Sequence, residues 1–459
     1  MNLDLLTKTF TFPEAKQVLA KQIKDFATQK EGSSAKSSVK RFELRIEKMD
    51  LLTWLTQQMT ATKIYGSDQS DNYAIAGISQ AEVIAGNGSI SFAELFKQMQ
   101  ARLTPQYPYL RYYGGLCFDD KNLEPEWKNF GTYKFLLPRF ELATKEGKML
   151  FACNIVVSPS VNYPDILKEL ENLRYEPAEL TFRSLEATAR EDIPSYDEWQ
   201  NNINSVLQAF QQNHCEKVVL ARKTQFHFEE PLNPWLILRQ LKKVAPYSYH
   251  FCFQFNDNEV FLGASPERLY RREGKKIDSQ AIAGTRARAA THKEDEKLRH
   301  DLLSSEKDQR EHQFVVNALQ TSFSEICQKA EKDPAVSVLS LENGHHLVTE
   351  FRGELKDGVE DWQILKLLHP TPAVGGVPKE IALQMIRTLE PFSRGWYAGP
   401  IGYVGLDQTE FVVAIRSALV KNNQLTVYAG AGIVDGSVPQ SEWNEVENKI
   451  SNFLKVLRY

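Results

Sequence analysis

Cysteine is scarce in this chain. Five are present in 459 residues, Cys117, Cys153, Cys215, Cys252 and Cys327, widely spread and without a C-x-x-C pair. A disulfide framework and a cysteine-rich zinc site are thereby excluded, and five buried thiols are expected. No apolar run is long enough to cross a bilayer, so no membrane is expected. Neither sign of charge is in excess: 55 Lys and Arg face 59 Asp and Glu, a net charge of −4. Nucleic acid is not implied as a partner. The start, MNLDLLTKTFTFPEAKQ, lacks the basic segment, apolar run and small-residue cleavage site of a secretory signal, so the expected location is cytoplasmic. No internal repeat at a fixed period is found.

What is there is ordinary in bulk and informative in detail. The chain is 42% apolar and 25% charged, as in a globular protein with a large core. One biased segment, Glu31 to Arg41 (EGSSAKSSVKR), reads as a loop. From Phe42 to about Phe182, β-branched and aromatic runs such as KFLLPRFELA and MLFACNIVVS alternate with helical stretches such as SFAELFKQMQARL. A helix is expected over about Tyr196 to His214, followed by the strand EKVVLAR, a helix near Pro234 to Val244 and the hairpin HFCFQFNDNEVFLGAS. One long helix is expected from about Lys293 to Lys329. Consecutive strands are too frequent for a doubly wound sheet, which favours α+β.

Several residues carry chemistry. Asp308 and Glu311 stand three apart in a helical stretch, either as a solvated face or as oxygen ligands for a hard divalent cation. In GSVPQSEWNEVENKI, Ser437 and Gln440 fit a capping box, which starts a helix near Val438 and puts Glu442, Glu445 and Lys449 along one face. Arg416 lies in EFVVAIRSALV, where apolar neighbours on both sides call for an anion, supplied from inside the fold or by a ligand. Lys217 opens EKVVLAR; it is either an exposed strand start or a buried amine whose surroundings favour the neutral, basic form. Glu267, behind Pro266, is a surface turn residue or an acid held in a tight turn. Gly284 with Thr285, and Gly430 with Gly432, mark turns or bulges, or else N–H groups open to an oxyanion.

Taken in order, KVVLAR, GASPERL, AIAGTR, KDQREH, HHL, HPTPAVGGVP, WYAGPIG, AIRSA, AGAGIV and EWNEVENK resemble the chorismate-utilising enzymes. That family includes isochorismate and salicylate synthases and the large subunits of anthranilate and aminodeoxychorismate synthases. The resemblance runs from about Tyr196 to Leu454. It implies an α+β fold of two stacked, antiparallel-rich layers wrapped by helices, with the site between them. Residues 1–195 would complete the layered core and residues 196–455 would form the catalytic region of one compact domain.

The same resemblance implies roles. Glu311 and Glu445 would be Mg²⁺ carboxylates, with Asp308 and Glu442 beside them, directly or through water, and Lys449 at the same end of the pocket. The ion would hold the ring carboxylate of chorismate, assisted by N–H groups at Gly284, Thr285, Gly430 and Gly432. Tyr397 and Arg416 would grip the enolpyruvyl carboxylate, and His346 would sit beside the ring. Lys217 would activate water for attack at C2, and Glu267 would protonate the departing C4 hydroxyl. No redox or group-carrying cofactor is required.

Among the sister reactions, three features favour isochorismate. Lys217 suits water rather than ammonia, so no glutaminase subunit is expected. HPTPAVGGVPKE follows the isochorismate pattern rather than that of anthranilate synthases. Ala281 and Ala283 stand where other branches carry a proline and a nucleophilic lysine. No tryptophan-sensing L-L-E-S segment is found. Salicylate synthase is the nearest alternative, and a non-catalytic ligand-binding protein is a third.

Overall fold

The computed structural model describes residues 8–30, 38–89, 91–121, 123–178, 181, 186–341 and 344–457. The chain begins with helix α1 (Phe12–Lys30), strand β1 (Ser38–Ile46), α2 (Leu51–Gln57), β2 (Lys63–Ser67), β3 (Tyr73–Gly86) and α3 (Phe92–Gln100). Then come β4 (Arg111–Leu116), β5 (Tyr133–Lys145), β6 (Lys148–Val157), α4 (Tyr163–Asn172), β7 (Ala189–Ile193) and α5 (Tyr196–Gln211). The middle holds β8 (Lys217–His227), α6 (Pro234–Val244), β9 (Tyr249–Gln254), β10 (Glu259–Ser265), β11 (Arg268–Glu273) and β12 (Lys276–Arg286). Next are α7 (His292–Ser304), α8 (Glu306–Ile326), β13 (Cys327–Lys332), β14 (Ser337–Leu341), β15 (Gly344–Leu355) and α9 (Asp361–Leu368). The chain closes with β16 (Gly376–Val377), α10 (Lys379–Leu389), β17 (Pro400–Gly405), β18 (Gln408–Val413), β19 (Ser417–Lys421), β20 (Gln424–Val434) and α11 (Pro439–Leu457).

Two long arms of strands leave β5, beside a short branch of β6 and β1. One runs β3, β2, β9, β10, β19, β20, β8; the other runs β4, β17, β18, β11, β12, β15. The two expected layers are thus arms of one branched network. Every ladder between named strands described here is antiparallel, which suits the hairpin-rich connections and the mixed α+β class. The arms face one another across apolar side chains: Ile64 and Phe251 of one share a cavity with Ile401, Tyr403 and Val412 of the other. Trp54, Trp127, Trp199 and Trp396 are wholly buried in the common core. All five cysteines are buried and free. No helix among the described residues is long and apolar enough to cross a membrane.

Local signals explain most element ends. The Ser195 side chain accepts from Glu198 N–H while the Glu198 carboxylate accepts from Ser195 N–H, which closes a capping box at α5. Three readings of the sequence need correction. The helix expected over Lys293–Lys329 breaks at Ser305, whose extended backbone (ψ 111°) and hydroxyl, accepting Asp308 N–H at 3.3 Å, start a new helix. The remainder turns into β13 because Cys327 to Lys332 pair with β15. At α11, Ser437 Oγ accepts Val434 N–H instead of forming the box with Gln440, and the helix starts at Pro439, a residue suited to a first turn. In the loop expected over Glu31–Arg41, residues 31–37 lie outside the described residues, whereas Ser38 to Arg41 already belong to β1.

Candidate active site

The site lies where the chain passes between arms. Pro266 and Glu267 join β10 of one arm to β11 of the other, and residues 414–416 join β18 back to β19. Arg416 is therefore not on a strand, as its sequence suggested. It occupies a left-handed conformation (φ 52°) that ends the run between β18 and β19, and its carbonyl accepts Ala264 N–H. Its Nη1 is buried without a hydrogen-bond partner among the described residues, and burial lowers its pKa to about 10. A guanidinium so placed can hold an anion through its fork. It borders both a cavity of about 270 Å³ and a smaller inner one of about 60 Å³, as does Lys449.

Two buried titratable groups, Lys217 and Glu267, lie close to the Arg416 and Lys449 that line these cavities. Lys217 is fully buried, flanked by Val434 of β20 and Val377 of β16. Its Nζ is 3.0 Å from Glu311 Oε1, as an ion pair rather than an aligned hydrogen bond. Glu267 is 4% exposed, and burial raises its pKa to about 7 against the opposing pull of Lys217, Lys449 and Arg416. A buried carboxyl near neutrality can hold its proton at physiological pH and release it to a leaving group. The turn expected at Glu267 is a crossing between arms, not a surface turn.

The remaining residues singled out in the sequence assemble as well. His346 Nδ1 is 3.0 Å from Thr285 Oγ1, and burial, helped by Arg416, lowers the imidazole pKa to about 3, so it is neutral at pH 7. Gly284 (φ 73°) sits in the irregularity of β12 between Ala283 and Thr285, and any Cβ there would stand 3.2 Å from Asp308 Cβ. Tyr397 stacks on Tyr428 with centroids 5.4 Å apart, and burial raises its pKa to about 12. Lys449 Nζ donates to the Gly430 carbonyl at 2.9 Å, on the edge of β20 not used by β8. Gly430 and Gly432 therefore also turn their N–H groups to that open edge.

Four carboxylates line up with four cations. Glu311 pairs with Lys217, Asp308 with Arg286 at 2.5 Å, Glu442 with Lys307 at 2.8 Å and Glu445 with Lys449 at 2.6 Å. Lys307 lies within electrostatic reach of Glu442, Glu445 and Glu311 together, which brings the α8 and α11 carboxylates to one place. Burial raises the pKa of Asp308, with Glu311 adding to it, and that of Glu442, with Glu445 adding to it. Burial also resists ionisation of Glu445, but Lys449 outweighs it and holds its pKa low. Among the described residues no three Asp, Glu, His or Cys side chains form a ready cage for a metal ion. The donor chemistry nevertheless suits a hard divalent cation that takes two carboxylates and keeps several waters. Lys307 and Arg286 were missed in the sequence, although Lys307 lies one turn before Glu311 on the same helix face.

The family described as chorismate binding enzyme matches residues 22–458. The chloroplastic isochorismate synthase of Catharanthus roseus is 32% identical over 409 residues, covering 85% of this chain and 70% of that protein. The isochorismate synthase MenF of Escherichia coli is 33% identical over 418 residues, covering 89% of this chain and 91% of that protein. A solved structure of the Escherichia coli menaquinone-specific enzyme superposes with a TM-score of 0.84 at 28% identity, over 96% of this chain and all of that one. A match that spans nearly the whole chain, in sequence and in fold, places it among the chorismate-binding enzymes.

Proposed function

We propose that the chain is an isochorismate synthase, an isomerase that interconverts chorismate and isochorismate. The observation that carries the mechanism is a pair of buried groups within electrostatic reach of each other, the Lys217 side chain and the Glu267 carboxyl, whose pKa burial raises to about 7 beside Arg416 and Lys449. Water enters at C2 and gives a proton to the uncharged amine of Lys217, the form that acts once it is no longer paired with Glu311. The ring double bonds shift, and the C4 hydroxyl leaves as water with a proton from Glu267. One hydroxyl replaces another, so mass is unchanged and no electrons are gained or lost. Acid and base act on the two reacting carbons at once, which is where positioned proton transfer is most useful.

Binding follows from charge. Arg416 and Tyr397 take the enolpyruvyl carboxylate, neutral His346 lies against the ring, and N–H groups at Gly284, Thr285, Gly430 and Gly432 face the ring carboxylate. Glu311 and Glu445 would hold Mg²⁺, with Asp308 and Glu442 beside them and Lys449 adjacent; when bound, the ion neutralises the ring carboxylate and orients it.

The test is incubation of the purified protein with chorismate and Mg²⁺, with an EDTA control, followed by chromatography with mass detection. A metal-dependent product of unchanged mass, eluting apart from chorismate, is expected, and Lys217→Ala is expected to abolish it while remaining folded. Salicylate plus pyruvate would move the chain to the salicylate-forming class. No conversion would point to a binding role.

A further inference from the structure

Val219 and Ala221 follow Lys217 along β8, and their backbone groups need partners. They lie opposite Gly432 and Gly430. Because Gly430 gives its carbonyl to Lys449 on the other edge, these are the non-hydrogen-bonded pairs of the ladder. The N–H and C=O groups of Val219 and Ala221 thus point away from β20. On that side β16 covers only Lys217 and Val218, and β7 begins only opposite Lys223.

The gap is filled partly by backbone, since Val219 N–H donates to Gly375 O at 2.8 Å, and otherwise by two side chains. Arg394 Nη2 donates to the Val219 carbonyl at 2.7 Å, and Ala221 N–H donates to Glu390 Oε1 at 2.7 Å. Arg394 Nη1 donates to the Val374 carbonyl at 2.8 Å, and the Arg394 carbonyl accepts Tyr397 N–H at 2.9 Å. Within the pair, Arg394 Nε donates to Glu390 Oε2 at 2.8 Å and Nη2 to Oε1. Both side chains are 3% exposed.

Val219, Val374 and Tyr397, the three points that Arg394 ties, are walls of the inner cavity, whereas Glu390 and Arg394 stand behind it. A buried ion pair is a poor device for stability alone, because apolar residues of similar volume usually serve as well or better. An apolar pair, however, could not supply a donor and an acceptor to the open edge of this strand and a second donor to the Val374 loop.

We propose that Glu390 and Arg394 are positioning residues, which hold the Lys217 strand, the Val374 loop and Tyr397 at fixed spacing around the substrate. This rests on the reaction proposed above. The experiment is steady-state kinetics on chorismate for wild type, Arg394→Lys and the double variant Glu390→Leu/Arg394→Met, with thermal melts in parallel. Lysine keeps the charge against Glu390 but lacks the fork that spans both carbonyls.

For both variants kcat is expected to fall about 10- to 100-fold, with KM within about threefold of wild type, because misplacement acts on the reacting geometry. The double variant is expected to melt as high as Arg394→Lys or higher. Wild-type kcat in either folded variant overturns the proposal, as does a raised KM at unchanged kcat. If Arg394→Lys does not fold, the double variant decides; if neither folds, the pair serves stability and the proposal is overturned. A wild type that leaves chorismate unchanged instead refutes the reaction itself, a result read from the unmodified protein alone.

Discussion

Glu267 shows how far a single environment can shift a common side chain. In the unfolded chain its carboxyl titrates near its ordinary 4.5, and in the fold burial moves it to about 7. The folded state therefore binds the extra proton, and the stability this contributes is complete below about 4.5 and lost as pH rises through about 7. Glu267→Gln is neutral at every pH, so its stability relative to wild type should improve from about pH 5 to about pH 8, by on the order of 3 kcal/mol. Denaturant unfolding of both proteins across that range checks it, and a difference that does not vary with pH would sink the buried-acid assignment. Turnover by the wild type should decline above about pH 7 as the same proton is lost. At this scale the sequence is legible for residue type and order: Lys217, Glu267, Arg416 and the carboxylates were all named from it. Their partners were not, since Lys217 with Glu311 and Lys307 with Glu442 are pairs far apart in the chain, which no local spacing reveals.

The elements that bear the carboxylates converge on β20. A Cβ on Gly432 would meet Glu311 Oε1 at 2.3 Å and Lys217 Cε at 3.2 Å, so the strand comes closest to the site where it has no side chain. Gly432→Ala should push Glu311 and Lys217 apart, lowering kcat by about tenfold or more and weakening the dependence on Mg²⁺ concentration. Gly88→Ala, where an added Cβ meets nothing within 4 Å, is the matched control and should leave both unchanged. Undiminished activity in Gly432→Ala would contradict the convergence. Element type and rough extent were legible from periodicity, as Pro234–Val244 shows, because an amphipathic pattern and an Asn233 cap coincide there. Where a long polar-apolar pattern held two helices and the start of a strand, the break at Ser305 was not, because one capping serine is a small signal against a long run of compatible period.

We propose that the first half of the chain serves the whole molecule as a bridge. In the strand network of the described residues, β9 and β17 are joined only through β2, β3, β4 and β5, all of which precede residue 195. On this reading the strands of the first half supply register and core rather than chemistry, and pattern alone cannot say which distant strand each will pair. We therefore treat residues 1–195 and 196–455 as one folding body. Residues 196–459 produced alone would expose β9 and β17 as two open, largely apolar edges, a template for aggregation. That fragment is expected to be insoluble or molten, without cooperative unfolding and without turnover of chorismate. A soluble, monomeric fragment with a sharp thermal transition would show instead that the two arms hold together by packing alone, and that the N-terminal ladders are dispensable to the site.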